Sequence, residues 1–124
     1  MLAWFAVATG GALGALARFA VNGWLYPVYE ARFPLPTLVI NVGGSVVMGV
    51  LYVLIIERTA LALEWRNFLM VGFLGAFTTF STFSLEALAL WQNGHLPLAL
   101  AYIVASVFLS IGGLALAVFV TRLI

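Results

Sequence analysis

Four long apolar segments separated by short polar ones set the pattern of the chain. They run from about residue 2 to 26, 37 to 56, 67 to 91 and 98 to 121. Each matches the roughly 20 helical residues needed to cross a hydrocarbon core. The first interruption, YPVYEARFPLP, carries three prolines and two charges; the second is marked by Glu57, Arg58, Glu64 and Arg66; the third is the turn QNGHLP. Because the segments are apolar all round, helix is assigned from their length and from the need to satisfy every backbone group within lipid. The pattern predicts an all-α integral membrane protein, a single four-span domain over residues 1–124 with both termini on one side. Trp24, Tyr26, Tyr29, Trp65 and Trp91 fall near span ends, where aromatic rings suit the headgroup belt.

The third segment breaks the apolar pattern in its middle. Gly75 to Ser84 reads GAFTTFSTFS, a hydroxyl-rich run at a depth where polar groups are expensive and usually mark an ion or substrate site. Gly72 and Gly75 are expected to loosen the helix, and the β-branched Thr78, Thr79 and Thr82 offer hydroxyls that compete for backbone partners. Two outcomes stand open. The helix breaks near its middle and releases carbonyl oxygens able to ligate a hard cation such as sodium, or the hydroxyls back-bond one turn earlier and it stays whole.

Further polar positions recur at helical spacing. Phe80 and Phe83 are three apart and share a face that Phe73 and Phe77 extend. Such a stripe is usually packing, although the positive edge of a phenyl ring can also face a small anion. Tyr102, Ser106 and Ser110 recur every four residues in the last span, and Thr37 and Asn41 do so in the second. All can donate to an anion, and each alone is equally an interhelical hydrogen bond of about 1 kcal/mol or less. Arg18 and Glu86 lie within spans, where a charge costs about 3 kcal/mol at the helix centre, so each belongs near an interface, in a pair or in water.

Composition fixes the setting. The chain is 65% hydrophobic and 7% charged, with a mean hydropathy of +1.20. Ordinary soluble domains are about half apolar and a quarter charged. A net charge of +1 offers no basic tract for nucleic acid, and one His with no Cys and no Asp offers no recognisable triad or metal cluster, so an enzyme is not expected. The N-terminus lacks a basic n-region and is read as a retained first span. Arg58, Arg66 and Arg122 on one side against Arg32 and Arg18 on the other give a weak topological bias. Charge leaves open a single weakly fixed orientation and an antiparallel dimer of oppositely inserted copies. Gly10 with Gly14, and Ser45 with Gly49, allow close helix approach in a compact bundle or a dimer.

The run GFLGAFTTFSTFS from Gly72 to Ser84, with TLVIN at Thr37 to Asn41 and Arg18 after a glycine-rich first helix, resembles the small bacterial fluoride channels of the Fluc or CrcB family. The likeness covers essentially the whole chain in length, span count and motif order. It implies an antiparallel, dual-topology homodimer in the cell (inner) membrane, with two fluoride pores and passive export that lowers internal fluoride. It also implies a structural, non-transported sodium ion, held at the dimer centre by the carbonyls of Gly75 and Thr78. Phe80 and Phe83 would line the pores by their ring edges. Asn41, Ser81, Thr82, Tyr102, Ser106 and Ser110 would supply donors; Thr37 and Glu86 are also expected in the pathway, Glu86 to orient waters or gate the vestibule, and Arg18 is expected in a structural or vestibule role. Ala76, Pro36 and Leu114 depart from the family's usual residues. The competing readings are a small dual-topology cation or multidrug exporter, which would need a carboxylate where Arg18 stands, and a non-transporting membrane subunit.

Overall fold

The computed structural model describes residues 1–26, 33–59 and 61–124. Tyr29, Glu30 and Arg32 lie outside the described residues. Helices long and apolar enough to span a membrane cover Leu2–Leu25, Leu35–Arg58, Leu63–Gln92 and Leu96–Leu123, and no strand occurs among the described residues. We label them α1 (Leu2–Leu25), α2 (Leu35–Arg58), α3 (63–77), α4 (Phe80–Gln92) and α5 (Leu96–Leu123), with α3 and α4 the two halves of the third span.

Two helices start earlier than the apolar pattern predicts, at Leu35 and Leu96, because Pro36 and Pro97 occupy first-turn positions. A proline there sacrifices no helical hydrogen bond and presets φ. The predicted turn after α4 is a Schellman closure. His95 N–H donates to the Leu90 carbonyl at 2.9 Å and Gly94 N–H to the Trp91 carbonyl at 3.0 Å. Gly94 takes φ 81°, a left-handed conformation that costs glycine nothing. At the opposite end, Arg58 donates to the Thr121 carbonyl at 2.6 Å, and Arg122 Nε meets Glu57 Oε2 at 3.0 Å, tying the ends of α2 and α5 together.

α1 packs on α3, and α5 packs on both α2 and α4. The glycines of α1 explain the first contact. A Cβ on Gly10 would lie 2.2 Å from the Phe68 carbonyl oxygen, and one on Gly14 would lie 2.1 Å from that of Phe73. Those carbonyls are five residues apart and meet glycines four apart. This is the register expected where an i→i+5 helix lies against an ordinary α-helix, and Asn67–Leu74 is π-helical. Gly72 reciprocates, since its Cβ would meet the Val7 carbonyl oxygen at 2.8 Å. Gly72 therefore serves close packing, within a stretch whose winding has widened to i→i+5. Gly49 does the same for α2, its Cβ falling 2.6 Å from the Leu114 carbonyl oxygen, whereas its sequence partner Ser45 bonds back to the Asn41 carbonyl at 2.8 Å. Small-residue spacing is thus used within one chain. The outward faces are apolar, with Trp4, Phe19, Phe108 and Phe119 exposed, and Trp24, Trp65 and Trp91 stand exposed near helix ends.

Candidate functional site

The third span breaks between Phe77 and Phe80. Thr78 N–H still donates to the Leu74 carbonyl at 3.0 Å, and its hydroxyl back-bonds to the same oxygen, also at 3.0 Å. Back-bonding and the break therefore coexist. One residue later the chain leaves the helix, with Thr78 at ψ 158° and Thr79 at φ −150°, ψ 109°. A side chain from α2 meets it there: Thr79 N–H donates to Asn41 Oδ1 at 2.8 Å, and Asn41 Nδ2 donates to the Thr79 carbonyl at 3.0 Å. Thr79 also caps α4, accepting from Thr82 N–H at 3.3 Å while its hydroxyl donates to Thr82 Oγ1 at 2.9 Å. In an unbroken helix those two N–H groups would serve the carbonyls of Gly75 and Thr78. Both oxygens proposed from sequence are thereby released from their helical donors. Ser81 is exposed, 3.4 Å from the Thr79 hydroxyl.

Beside the break lies a cavity of about 370 Å³, bordered by Asn41, Gly44, Ser45 and Met48 from α2, by Thr78, Thr79, Phe80 and Phe83, and by Ser106, Val107, Ser110, Ile111 and Leu114 from α5. Among the described residues no charged side chain borders it. Ser106 Oγ is buried and has no partner among the described residues, although a buried hydroxyl without a partner costs about 1–3 kcal/mol. Asn41, Gly44, Ser45 and Met48 recur at i, i+3, i+4 and i+7, so the periodicity that marked Thr37 and Asn41 could have found the other three. Gly44 has a steric reason to be glycine, because its Cβ would lie 2.4 Å from the Thr78 methyl carbon. Thr79, the centre of the hydrogen bonding at the break, carries no sequence signal that separates it from its neighbours.

The serial hydroxyl track expected along α5 divides. Ser106 and Ser110 border the cavity, whereas Tyr102, fully buried, donates to Glu86 Oε2 at 2.8 Å. Thr37 donates to Glu86 Oε1 at 2.9 Å. Thr37 and Tyr102, both expected along the pathway, thus direct their hydroxyls to one carboxylate. The carboxylate's partners are hydroxyls rather than Arg18, which sits half-buried on α1 outside both cavities. Glu86 also borders a second cavity, of about 530 Å³, with Pro34, Ala89, Leu90, Asn93 and His95.

Phe83 borders the first cavity, and Glu86, three residues on, borders the second. The Phe83 ring lies 5.2 Å from that of Tyr102 and 5.4 Å from that of Phe80, centroid to centroid, and Phe33 closes on Tyr102 from another side at 5.5 Å. The expected phenylalanine stripe is split by the break, with Phe73 and Phe77 stacked at 6.1 Å on α3. Even the α4 pair is unequal, for Phe83 is 8% exposed and Phe80 77%.

A family model described as "CrcB-like protein, Camphor Resistance (CrcB)" matches residues 5–119. The chain belongs to the CrcB family. Its relatives include a "Fluoride-specific ion channel FluC" from Saccharophagus degradans, 54% identical over 98% of this chain and 91% of that protein. Another of the same name, from Hahella chejuensis, is 47% identical over 95% of this chain and 93% of its own. A third, from Methylococcus capsulatus, is 56% identical over 87% of this chain and 47% of that longer protein. With its spanning helices, this CrcB chain is a multi-pass protein of the cell membrane and not an enzyme.

Proposed function

We propose that the chain is a passive, fluoride-selective channel through which accumulated fluoride leaves the cell. It works as an antiparallel homodimer with two pores and a structural, non-transported sodium ion between the copies. The observation that carries this reading is a cavity lined by Asn41, Ser106 and Ser110 and by the rings of Phe80 and Phe83, at whose border the buried Ser106 hydroxyl has no partner among the described residues. Fluoride is small and a strong hydrogen-bond acceptor. Hydroxyl and amide donors replace its water, ring edges add a weak positive field, and the absence of a cation among the lining residues lets the ion leave again. Larger halides fit such a track poorly.

The dimer reading rests on what one copy leaves incomplete. Phe80 borders the cavity yet is 77% exposed, so a second surface is needed to enclose that side. The carbonyls of Gly75 and Thr78 are neutral hard oxygens, the ligand type a monovalent cation takes. Among the described residues no cluster of His, Cys, Asp or Glu offers an alternative. Two oxygens from one copy would not hold such an ion alone, and a second copy related by an axis in the membrane plane would supply two more. The weak arginine bias suits insertion in both orientations. Sodium supplies a fixed positive charge there, and the chain's part is to hold its carbonyls turned away from helical partners.

The deciding experiment is efflux from liposomes containing the purified protein, followed with a fluoride electrode and compared with chloride efflux at the same potential. Fast, fluoride-selective release without a proton gradient is the expected result. No release from a folded, inserted dimer would instead leave the non-transporting subunit. In the same assay Ser106→Ala is expected to lower fluoride flux several-fold while the melting temperature holds or rises, since a partnerless buried hydroxyl contributes about 0 kcal/mol or less to stability. Wild-type flux in that variant would show that the hydroxyl faces no ion.

A further inference from the structure

Asn41 does the work of a backbone partner. Its carboxamide accepts from Thr79 N–H at 2.8 Å and donates to the Thr79 carbonyl at 3.0 Å, the two-point pairing of neighbouring strands, made to a residue in extended conformation. The N–H it captures is the one that would otherwise close the helix onto the Gly75 carbonyl. The Thr78 carbonyl loses its own donor locally, to the Thr79 hydroxyl at 3.3 Å, and that hydroxyl is in place only while Thr79 is extended. Both released oxygens therefore depend on the conformation that Asn41 holds. Its anchoring is firm, with its own carbonyl accepting from Ser45 Oγ at 2.8 Å and the adjacent Gly44 leaving room for the Thr78 methyl group. One amide hydrogen and Oδ1 are committed to Thr79, which fixes the amide plane and leaves the second Nδ2 hydrogen as its donor for the cavity.

We infer that Asn41 is the positioning residue of the cation site: its amide holds the third span open and presents the Gly75 and Thr78 carbonyls, joining that site to the cavity it borders. The inference rests on the sodium reading above and adds to it the residue that builds the site and the route by which sodium and pore geometry are coupled. A residue that only contacted the permeating ion would change flux and leave sodium affinity alone. One that only stabilised the fold would lower the melting temperature equally with and without sodium.

The test is thermal unfolding of the full-length protein in detergent, read by tryptophan fluorescence, across a sodium series balanced with N-methyl-D-glucamine at constant ionic strength. The wild type is expected to melt higher as sodium rises, with a defined midpoint concentration. Asn41→Ala is expected to raise that midpoint about tenfold, the scale of one or two lost hydrogen bonds. Asn41→Gln keeps both hydrogen-bonding groups on a longer arm and is expected to shift it less; it also carries the test if the alanine variant does not fold. Ser106→Ala, in the same cavity but bonded to neither Thr79 nor the break, is expected to keep the wild-type midpoint. A sodium effect in the wild type with unchanged midpoints in both Asn41 variants would overturn this inference alone, as would an equal shift in Ser106→Ala. No sodium effect in the wild type would overturn the sodium reading and this inference together.

Discussion

Phe80→Ile is expected to cut fluoride efflux by up to about tenfold and leave the stability of each copy nearly untouched. Phe80 is 77% exposed, so little packing is lost, and substitutions at such positions usually stay within about 0.5 kcal/mol. What is lost is a ring edge. An aromatic edge is worth about 0.5–1.5 kcal/mol to a suitably placed partner, and about 1.4 kcal/mol on a barrier is tenfold in rate. Isoleucine is apolar and bulky but has no quadrupole, so it tests the electrostatics and not the size of the side chain. Phe83→Ile is expected to impair efflux too, with a different accompaniment. Phe83 is buried against Tyr102, whose hydroxyl holds Glu86, so this variant should also lose about 1–2 kcal/mol of stability. Paired electrode traces and melting curves separate the two. Wild-type flux in either variant would mean that its ring is packing alone, and dissociation of the proposed dimer by Phe80→Ile would assign that ring to the interface instead of the proposed pore.

The sequence pattern locates the break more securely than it assigns the donors around it. A run of threonines after glycine at bilayer depth announces competition for backbone partners, and the chain leaves the helix within that run, at Thr78 and Thr79. The hydroxyls that are four residues apart do lie on shared helix faces. Periodicity cannot say what stands opposite, however, and Thr37 and Tyr102 both face Glu86 on another helix. The partnerless state of Ser106 is likewise a property of the packed bundle. Gly44 and Ser45 sit on the same face as Asn41, readable in principle, yet a small residue in a membrane helix is so common that it marks nothing by itself. The π-helical stretch at Asn67–Leu74 has no separate sequence signature. It becomes intelligible only once α1 is laid against it.

That contact is where the largest loss of stability is expected. A Cβ at Gly14 would sit 2.1 Å from the Phe73 carbonyl oxygen and 2.9 Å from its carbonyl carbon. Both are backbone atoms that cannot swing aside. Carbon–oxygen contacts between helices settle at about 3.3–3.6 Å, so Gly14→Ala must push α1 from α3 by about 1 Å or distort the π-helical stretch. Overpacking of this kind costs about 1–3 kcal/mol and sometimes more. The damage then travels, because Phe73 is stacked on Phe77, the last helical residue before the break. Loss of fluoride flux should accompany the fall in melting temperature. Gly10→Ala, 2.2 Å from the Phe68 carbonyl oxygen, is expected to behave alike. Gly23 on the same helix is the control, since its Cβ would meet nothing within 4 Å among the described residues. Gly23→Ala should stabilise the helix by about 0.5–1 kcal/mol through the lower backbone entropy of alanine. The two substitutions are chemically identical and opposite in expected sign, so melting curves for Gly14→Ala and Gly23→Ala that moved together would show that α1 does not seat against α3 through its glycines.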